Sequence, residues 1–260
     1  MTSGEQAQAY ARDGHALVRG VLSGDELAEF RNAVRETAAR LNREQRPLAE
    51  RDTYGQAFLQ TTNLWRHSVT VARCILSPAI GKIAAELMGV RGVRLYHDQS
   101  LFKEPGGGPT PWHQDQQYWP LDTPNTVTMW MPLVDAGDDM GTMMFASGSH
   151  GLGYLGNLPI SDKSDETIRD LIRERGFEVT PPNNMRAGDA TFHSGWVFHG
   201  APGNRSSQMR EVMTAIYFED GAKVGQADSQ DRQNDLASWF PGLAPGDLAA
   251  TELNPLVYSA

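Results

Sequence analysis

Apolar positions recur every three or four residues in two stretches of the first ninety. Leu27, Phe30, Val34, Ala38 and Leu41 fall on one face of a helix. Ser23-Gly24-Asp25-Glu26 precedes them and predicts a capping box at its start. Ile80, Ile83, Ala84 and Leu87 form a second such face, opened by Ser77-Pro78 and closed by Gly89. Residues 43–66 are polar and mixed, which predicts a loop with partial helix, placed over a site. Beyond Val90 the period shortens to two. Strands are predicted over Val93–Phe102, Thr126–Val134, Gly141–Ala146, Asp189–Phe192, Trp196–His199 and Glu211–Phe218, with Gly, Pro, Asn and Asp between them. Asp165–Arg175 reads as a surface helix closed by Gly176, and the tail as irregular with a short helix near Leu236.

Many short strands without alternating helices predict antiparallel sheets rather than parallel βαβ units. The expected fold is mainly β with α. A double-stranded β-helix (jelly roll, cupin-like) core over 91–220 carries an N-terminal helical layer over 1–90 and an irregular C-terminal segment over 221–260. The whole of 1–260 is read as one domain.

Composition narrows the function. The formal net charge of -9 argues against nucleic acid or anionic membranes as partners. No apolar run approaches the ~20 residues that span a bilayer, and the polar first residues do not read as a signal peptide. A cytoplasmic protein acting on a small molecule is the expectation, with the oligomeric state open. The single cysteine, Cys74, excludes an internal disulfide and sits among apolar neighbours as a small core residue.

Candidate chemistry starts from the seven histidines. In His113-Gln114-Asp115 an extended chain turns an imidazole and a carboxylate to one face and Gln114 to the other. A second imidazole from a distant strand completes a facial set of two histidines and one carboxylate, which leaves adjacent positions open on Fe(II). Two residues compete for that role. His199 ends a strand-like run just before Gly200 and Pro202, which favours it. His193 is the rival, or a buried group donating to a carboxylate. His97-Asp98 is a poorer pair, because adjacent residues on a strand face opposite ways.

Arg210 stands eleven residues after His199, at the start of a strand, where a guanidinium can grip a carboxylate bidentately. Arg205 competes, although its place after Asn204 suits ordering of a turn. Phe58, Trp65, Trp112, Tyr118, Trp119 and Met143 are candidates for a substrate wall, with core packing as the alternative for each. Gly151-Leu-Gly153-Tyr-Leu-Gly156 matches a dinucleotide fingerprint in letters only. Asn157-Leu-Pro159 follows it and no βαβ unit surrounds it, so it reads as a loop.

Several segments together resemble one family. Leu95–Pro105, Pro111-Trp-His113-Gln-Asp115, Trp130-Met-Pro-Leu133, Gly148-Ser-His150 and His199-Gly-Ala-Pro-Gly-Asn-Arg-Ser look like the phytanoyl-CoA dioxygenase (PhyH-like) family of oxygenases, across about residues 8–220. The resemblance implies Fe(II), with 2-oxoglutarate and O2 as cosubstrates. It implies His113, Asp115 and His199 as iron ligands and Arg210 as the partner of the far carboxylate of 2-oxoglutarate. Gln99 and Trp130 match positions lining the same cosubstrate. Because Asp115 is present, it favours hydroxylation or a related oxidation over halogenation. No Lys/Arg cluster suits the phosphates of a CoA thioester. A metal-dependent dioxygenase or isomerase working without 2-oxoglutarate, and a binding protein that keeps the fold without catalysis, are the competing expectations.

Overall fold

The computed structural model describes residues 2–181 and 183–260. Its helices are α1 Gly4–Asp13, α2 Gly24–Leu41, α3 Thr53–Ala57, α4 Val69–Ile75, α5 Pro78–Met88, α6 Asp162–Arg175 and α7 Gln230–Trp239. Its strands are β1 His15–Val18, β2 Leu59–Thr62, β3 Gly92–Phe102, β4 Thr110–His113, β5 Thr126–Pro132, β6 Met144–Phe145, β7 Ala190–Ser194, β8 His199–Ala201, β9 Val212–Glu219 and β10 Leu256–Ser259.

Two antiparallel sheets form the expected jelly roll. The larger has seven strands in the order β1-β7-β5-β9-β3-β10, with β2 also paired to β3. The smaller has the order β4-β8-β6. Side chains alternate across a strand, so each strand of the large sheet is split between two environments. Val127, Met129 and Met131 of β5, Ala190 and Phe192 of β7, and Met213, Ala215 and Tyr217 of β9 face one way. They pack with Phe30, Val34, Val71, Ile75, Ile80 and Ala84 of the helical layer into the main core. Thr128, Trp130, His193, Thr214 and Ile216 take the alternate positions and line a cavity on the other face.

Strand β3 breaks this parity. Its pairing with β9 shifts between Leu95 and His97. Leu95 therefore stays in the main core, while Tyr96 and His97 both lie on the cavity side, as a bulge permits. Helix α2 is tied to the start of β9 through Arg31, whose Nε lies 2.6 Å from Glu211 Oε2.

The structure departs from the periodicity reading where strands are short. β1, β2 and β10 have four residues each, too few for an alternation to register against helical surroundings. The segment predicted as a strand over Gly141–Ala146 is extended only at Met144–Phe145. Trp196–His199 is not a strand. A turn closed by Val197 N–H donating to Ser194 O precedes β8, so His199 begins a strand instead of ending one. Ser23 stands at the N-cap of α2 but its side chain makes no capping bond. No helix among the described residues is long and apolar enough to cross a membrane.

Gly188 precedes β7 with φ +83°, and a Cβ there would lie 2.1 Å from Leu22 O. Gly89, at the end of α5, has φ +69° and open space around it. Gly89→Ala is expected to cost about 1 kcal/mol through the left-handed conformation alone. Gly188→Ala adds a backbone clash and should cost at least roughly twice as much. Urea midpoints of the two variants measure this, and equal losses would contradict it.

Candidate metal centre

The site is built on the small sheet. His113 ends β4 and His199 begins β8, and the two are direct cross-strand partners. Their rings lie 4.1 Å apart between centroids. Each ring is oriented in the same way. His113 Nδ1 lies 2.8 Å from Pro111 O, and His199 Nδ1 lies 3.0 Å from Val197 O. A carbonyl can only accept, so Nδ1 carries the proton in both rings and Nε2 is left as a bare lone pair.

Asp115 follows Gln114, whose backbone is extended, and opens a short 3-10 turn. Gln114 points away and donates to Trp196 O and Gly153 O, as the alternation required. The Asp115 carboxylate is divided between two duties. Oδ2 accepts from Thr128 Oγ1 at 2.7 Å and lies 3.3 Å from His193 Nε2. Oδ1 lies 3.5 Å from Nε2 of His113 and 3.5 Å from Nε2 of His199. Ligand atoms of His113, Asp115 and His199 all fall within 4.8 Å of one another.

The electrostatics favour a cation at that point. Burial pushes the His113 imidazole below its ordinary pKa, toward the neutral form. Burial alone would raise the Asp115 carboxyl. The surrounding rings of His199, His113 and His193 outweigh it and hold the group well below the usual carboxylate range. Two imidazole lone pairs thus face an ionised oxygen, and the three repel one another unless a cation stands between them. Two ligands in adjacent positions on one ion sit about 3 Å apart, near the separations found here. The donor set, two imidazoles and one carboxylate, suits Fe(II).

His193 is 1% exposed and neither ring nitrogen has a hydrogen-bond partner. It sits on β7 beside the triad, at 4.5 Å from the His199 ring. It lies buried beside the Asp115 carboxylate, with Nε2 3.3 Å from Oδ2.

The triad opens into a cavity of about 270 Å³. Arg210 lines it and is 1% exposed. Its guanidinium lies over the Trp130 ring at 5.4 Å, one amine donates to Gly141 O, and Nε has no partner. No acid pairs with it among the described residues. Lys103 bridges to it through the backbone and is also fully buried. Its Nζ is 2.5 Å from Gly108 O and 3.3 Å from Thr110 Oγ1. Burial, and then the charge of Arg210, push the Lys103 amine down to about 6, while burial pushes Arg210 down to about 9. Lys103 is thus held mainly neutral near pH 7, while Arg210 stays charged and buried without a counter-charge, a costly arrangement that an incoming carboxylate would relieve.

Gln99 and Trp130 also line the cavity, and Gln99 Oε1 accepts from Gln60 of β2. Of the candidates for a substrate wall, Phe58, Tyr118, Trp119 and Met143 line it as well. Trp65 and Trp112 do not. Trp65 packs against the main core, and Trp112 is buried with Phe198, Ile168 and Ile172 behind the small sheet. Arg205 lies outside the cavity, where its N–H donates to Asp139 O. Thr128, Lys103, Asp235 and Trp239 were not singled out from the sequence. Thr128 had the signal of alternation with Met129, but the other three follow no spacing from the triad.

The sequence profile described as phytanoyl-CoA dioxygenase (PhyH) matches residues 10–212. Phytanoyl-CoA dioxygenase domain-containing protein 1 of Danio rerio is 29% identical over 148 residues, 55% of this chain and 50% of that protein. The chain therefore spans about half the length of that curated relative. Among solved structures, the non-haem alpha-ketoglutarate-dependent carbocyclase SnoK from nogalamycin biosynthesis superposes with a TM-score of 0.80 at 27% identity, over 98% of this chain and 96% of that one. The epimerase SnoN, crystallised with Fe3+, alpha-ketoglutarate and nogalamycin RO, gives a TM-score of 0.80 at 26% identity, over 97% of each chain. With the profile covering most of its length, this chain belongs to the phytanoyl-CoA dioxygenase (PhyH) family.

Proposed function

We propose that the 260-residue chain acts as one Fe(II)/2-oxoglutarate-dependent oxygenase unit that oxidises a C–H bond of a small organic molecule, of the secondary-metabolite kind. The observation that carries this reading is the meeting of three lone-pair donors at one end of a cavity whose wall also holds an uncompensated guanidinium.

In this reading His113 Nε2, Asp115 Oδ1 and His199 Nε2 hold iron. Bound there with 2-oxoglutarate and O2, iron supplies the oxidising power for C–H cleavage as 2-oxoglutarate is split into succinate and CO2. The protein contributes position and exclusion. Pro111 O and Val197 O keep both imidazoles in the tautomer that presents Nε2. Thr128 holds Oδ2 of Asp115, so that Oδ1 stays free to bind. Arg210, stacked on Trp130, receives the far carboxylate of 2-oxoglutarate, and its unpartnered Nε supplies an N–H for a second bond. Gln99 borders the same compartment. The aromatic wall of Phe58, Tyr118 and Trp119 keeps water away and receives the substrate. No side chain is needed as a general base.

Asp115→Ala should abolish succinate release that depends on both Fe(II) and 2-oxoglutarate. Undiminished release would refute the assignment of that ligand. Arg210→Gln should weaken 2-oxoglutarate about a hundredfold, since truncating one partner of a buried charged pair typically costs several kcal/mol. Iron affinity should stay within a few-fold, and titrations of each ligand separate the two effects.

Lys103 gives a pH-dependent prediction. Its amine titrates near 6 in the folded chain but near 10.4 when unfolded. Between those values the unfolded chain binds more protons, so the cost of burying Lys103 is full below about pH 6 and fades as pH rises. Lys103→Met should therefore raise Tm most at pH 6, and its advantage over the native protein should shrink by pH 9. A pH-independent difference would contradict the buried amine.

A further inference from the structure

The cavity has a second polar feature, remote from Arg210 along β9. Arg210 and Val212 lie at one end of that strand, whereas Ile216 and Phe218 meet Tyr96, Trp119 and Phe240 at the other. There helix α7 presents Asp235 and Trp239 to the cavity, one turn apart on the same face. Tyr96 Oη donates to Asp235 Oδ2 at 2.7 Å. Trp239 packs on His97 with ring centroids 4.6 Å apart.

Two features here are left incomplete by the protein: a carboxylate that accepts from Tyr96 and Trp239 but has no counter-charge, and a ring nitrogen without a partner. The first is the Asp235 carboxylate, which has no Lys, Arg or His in ion-pair contact among the described residues. Arg232, the nearest candidate in sequence, stacks over Tyr154 at 4.3 Å and lies 3.4 Å from Asp228. Burial pushes the Asp235 carboxyl up to about 6, so it remains mainly ionised at neutral pH. The second is Nδ1 of His97, a residue only 7% exposed that lines the same cavity and has no hydrogen-bond partner for that atom. A buried unpaired polar atom costs about 1–3 kcal/mol, which a ligand group can recover.

From this juxtaposition we infer that the substrate carries a positively charged nitrogen, docked against Asp235 and the faces of Trp239, Trp119 and Tyr118. The carboxylate supplies the counter-charge and the rings supply cation–π contact. A neutral hydroxyl would leave the carboxylate uncompensated. The inference rests on the oxygenase reading only in naming the bound molecule as the substrate. It gives the cavity a polarity, with an anion held by Arg210 at one end and a cation held by Asp235 at the other.

Choline and 3,3-dimethylbutan-1-ol have the same shape and differ in charge, so they form the test pair. Each is titrated into the full chain loaded with Fe(II) and 2-oxoglutarate in the absence of O2, followed by tryptophan fluorescence. Choline should bind at least about tenfold tighter, the size of one charged contact at a partly desolvated site. Asp235→Asn keeps an acceptor for Tyr96 and should bring the two affinities within about twofold of each other. Asp228→Asn removes an equal charge outside the cavity and should preserve the preference. Equal affinities in the native protein overturn the inference, as does a preference that survives Asp235→Asn. Should that variant not fold, the native comparison decides alone. Binding of 2-oxoglutarate in the same samples is read separately. Its loss with choline preference intact would count against the oxygenase reading and not against this one.

Discussion

Three lone pairs that repel one another are held face to face, and most of the fold can be understood as the apparatus that holds them. His113 and His199 come from neighbouring antiparallel strands, so the ladder itself fixes the distance between their rings. Each Nδ1 is spent on a carbonyl two residues back in the chain, which leaves Nε2 no choice of direction. Asp115 is brought in by a turn immediately after β4 and clamped by Thr128 from the opposite sheet. Without a cation the arrangement is unfavourable, and the surrounding packing must make up the difference.

That packing comes from a division of labour across one sheet. Odd positions of β5 and β9 bury aliphatic and aromatic side chains against the helices, while even positions carry the polar and aromatic lining of the cavity. The alternation lets a single strand contribute to stability and to chemistry without compromise in either. The bulge in β3 is the exception that serves the site, because it brings His97 to the cavity and packs Tyr96 on the same side of the sheet, beside Trp119 and Ile216. Lys103 and Arg210 show the cost of function most plainly, as two basic groups buried side by side with no acid opposite them among the described residues.

The sequence revealed the local part of this and missed the non-local part. His113-Gln114-Asp115 announces its geometry because two residues of extended chain suffice to align the side chains. The long strands β3, β5 and β9 were legible because seven or more residues give an alternation that stands out. Strands of four residues, such as β1, β2 and β10, were not, since tertiary pairing and not local preference makes them extended. The same reason explains the misplaced end of the strand at His199. Asp235 and Trp239 escaped notice because α7 reads as an ordinary polar helix, and nothing in its spacing tells which face meets a cavity. Trp65 and Trp112 were proposed for the substrate wall on residue type alone, and both turned out to be packing residues.

One ion shared by residues 113, 115 and 199 underlies the proposed chemistry. Crystals grown with Fe(II) and measured at the iron absorption edge test it most directly, by the position of the anomalous peak. One strong peak is expected about 2 Å from Nε2 of His113, Oδ1 of Asp115 and Nε2 of His199. A peak coordinated by His193 in place of His199, or none within reach of all three, would contradict it.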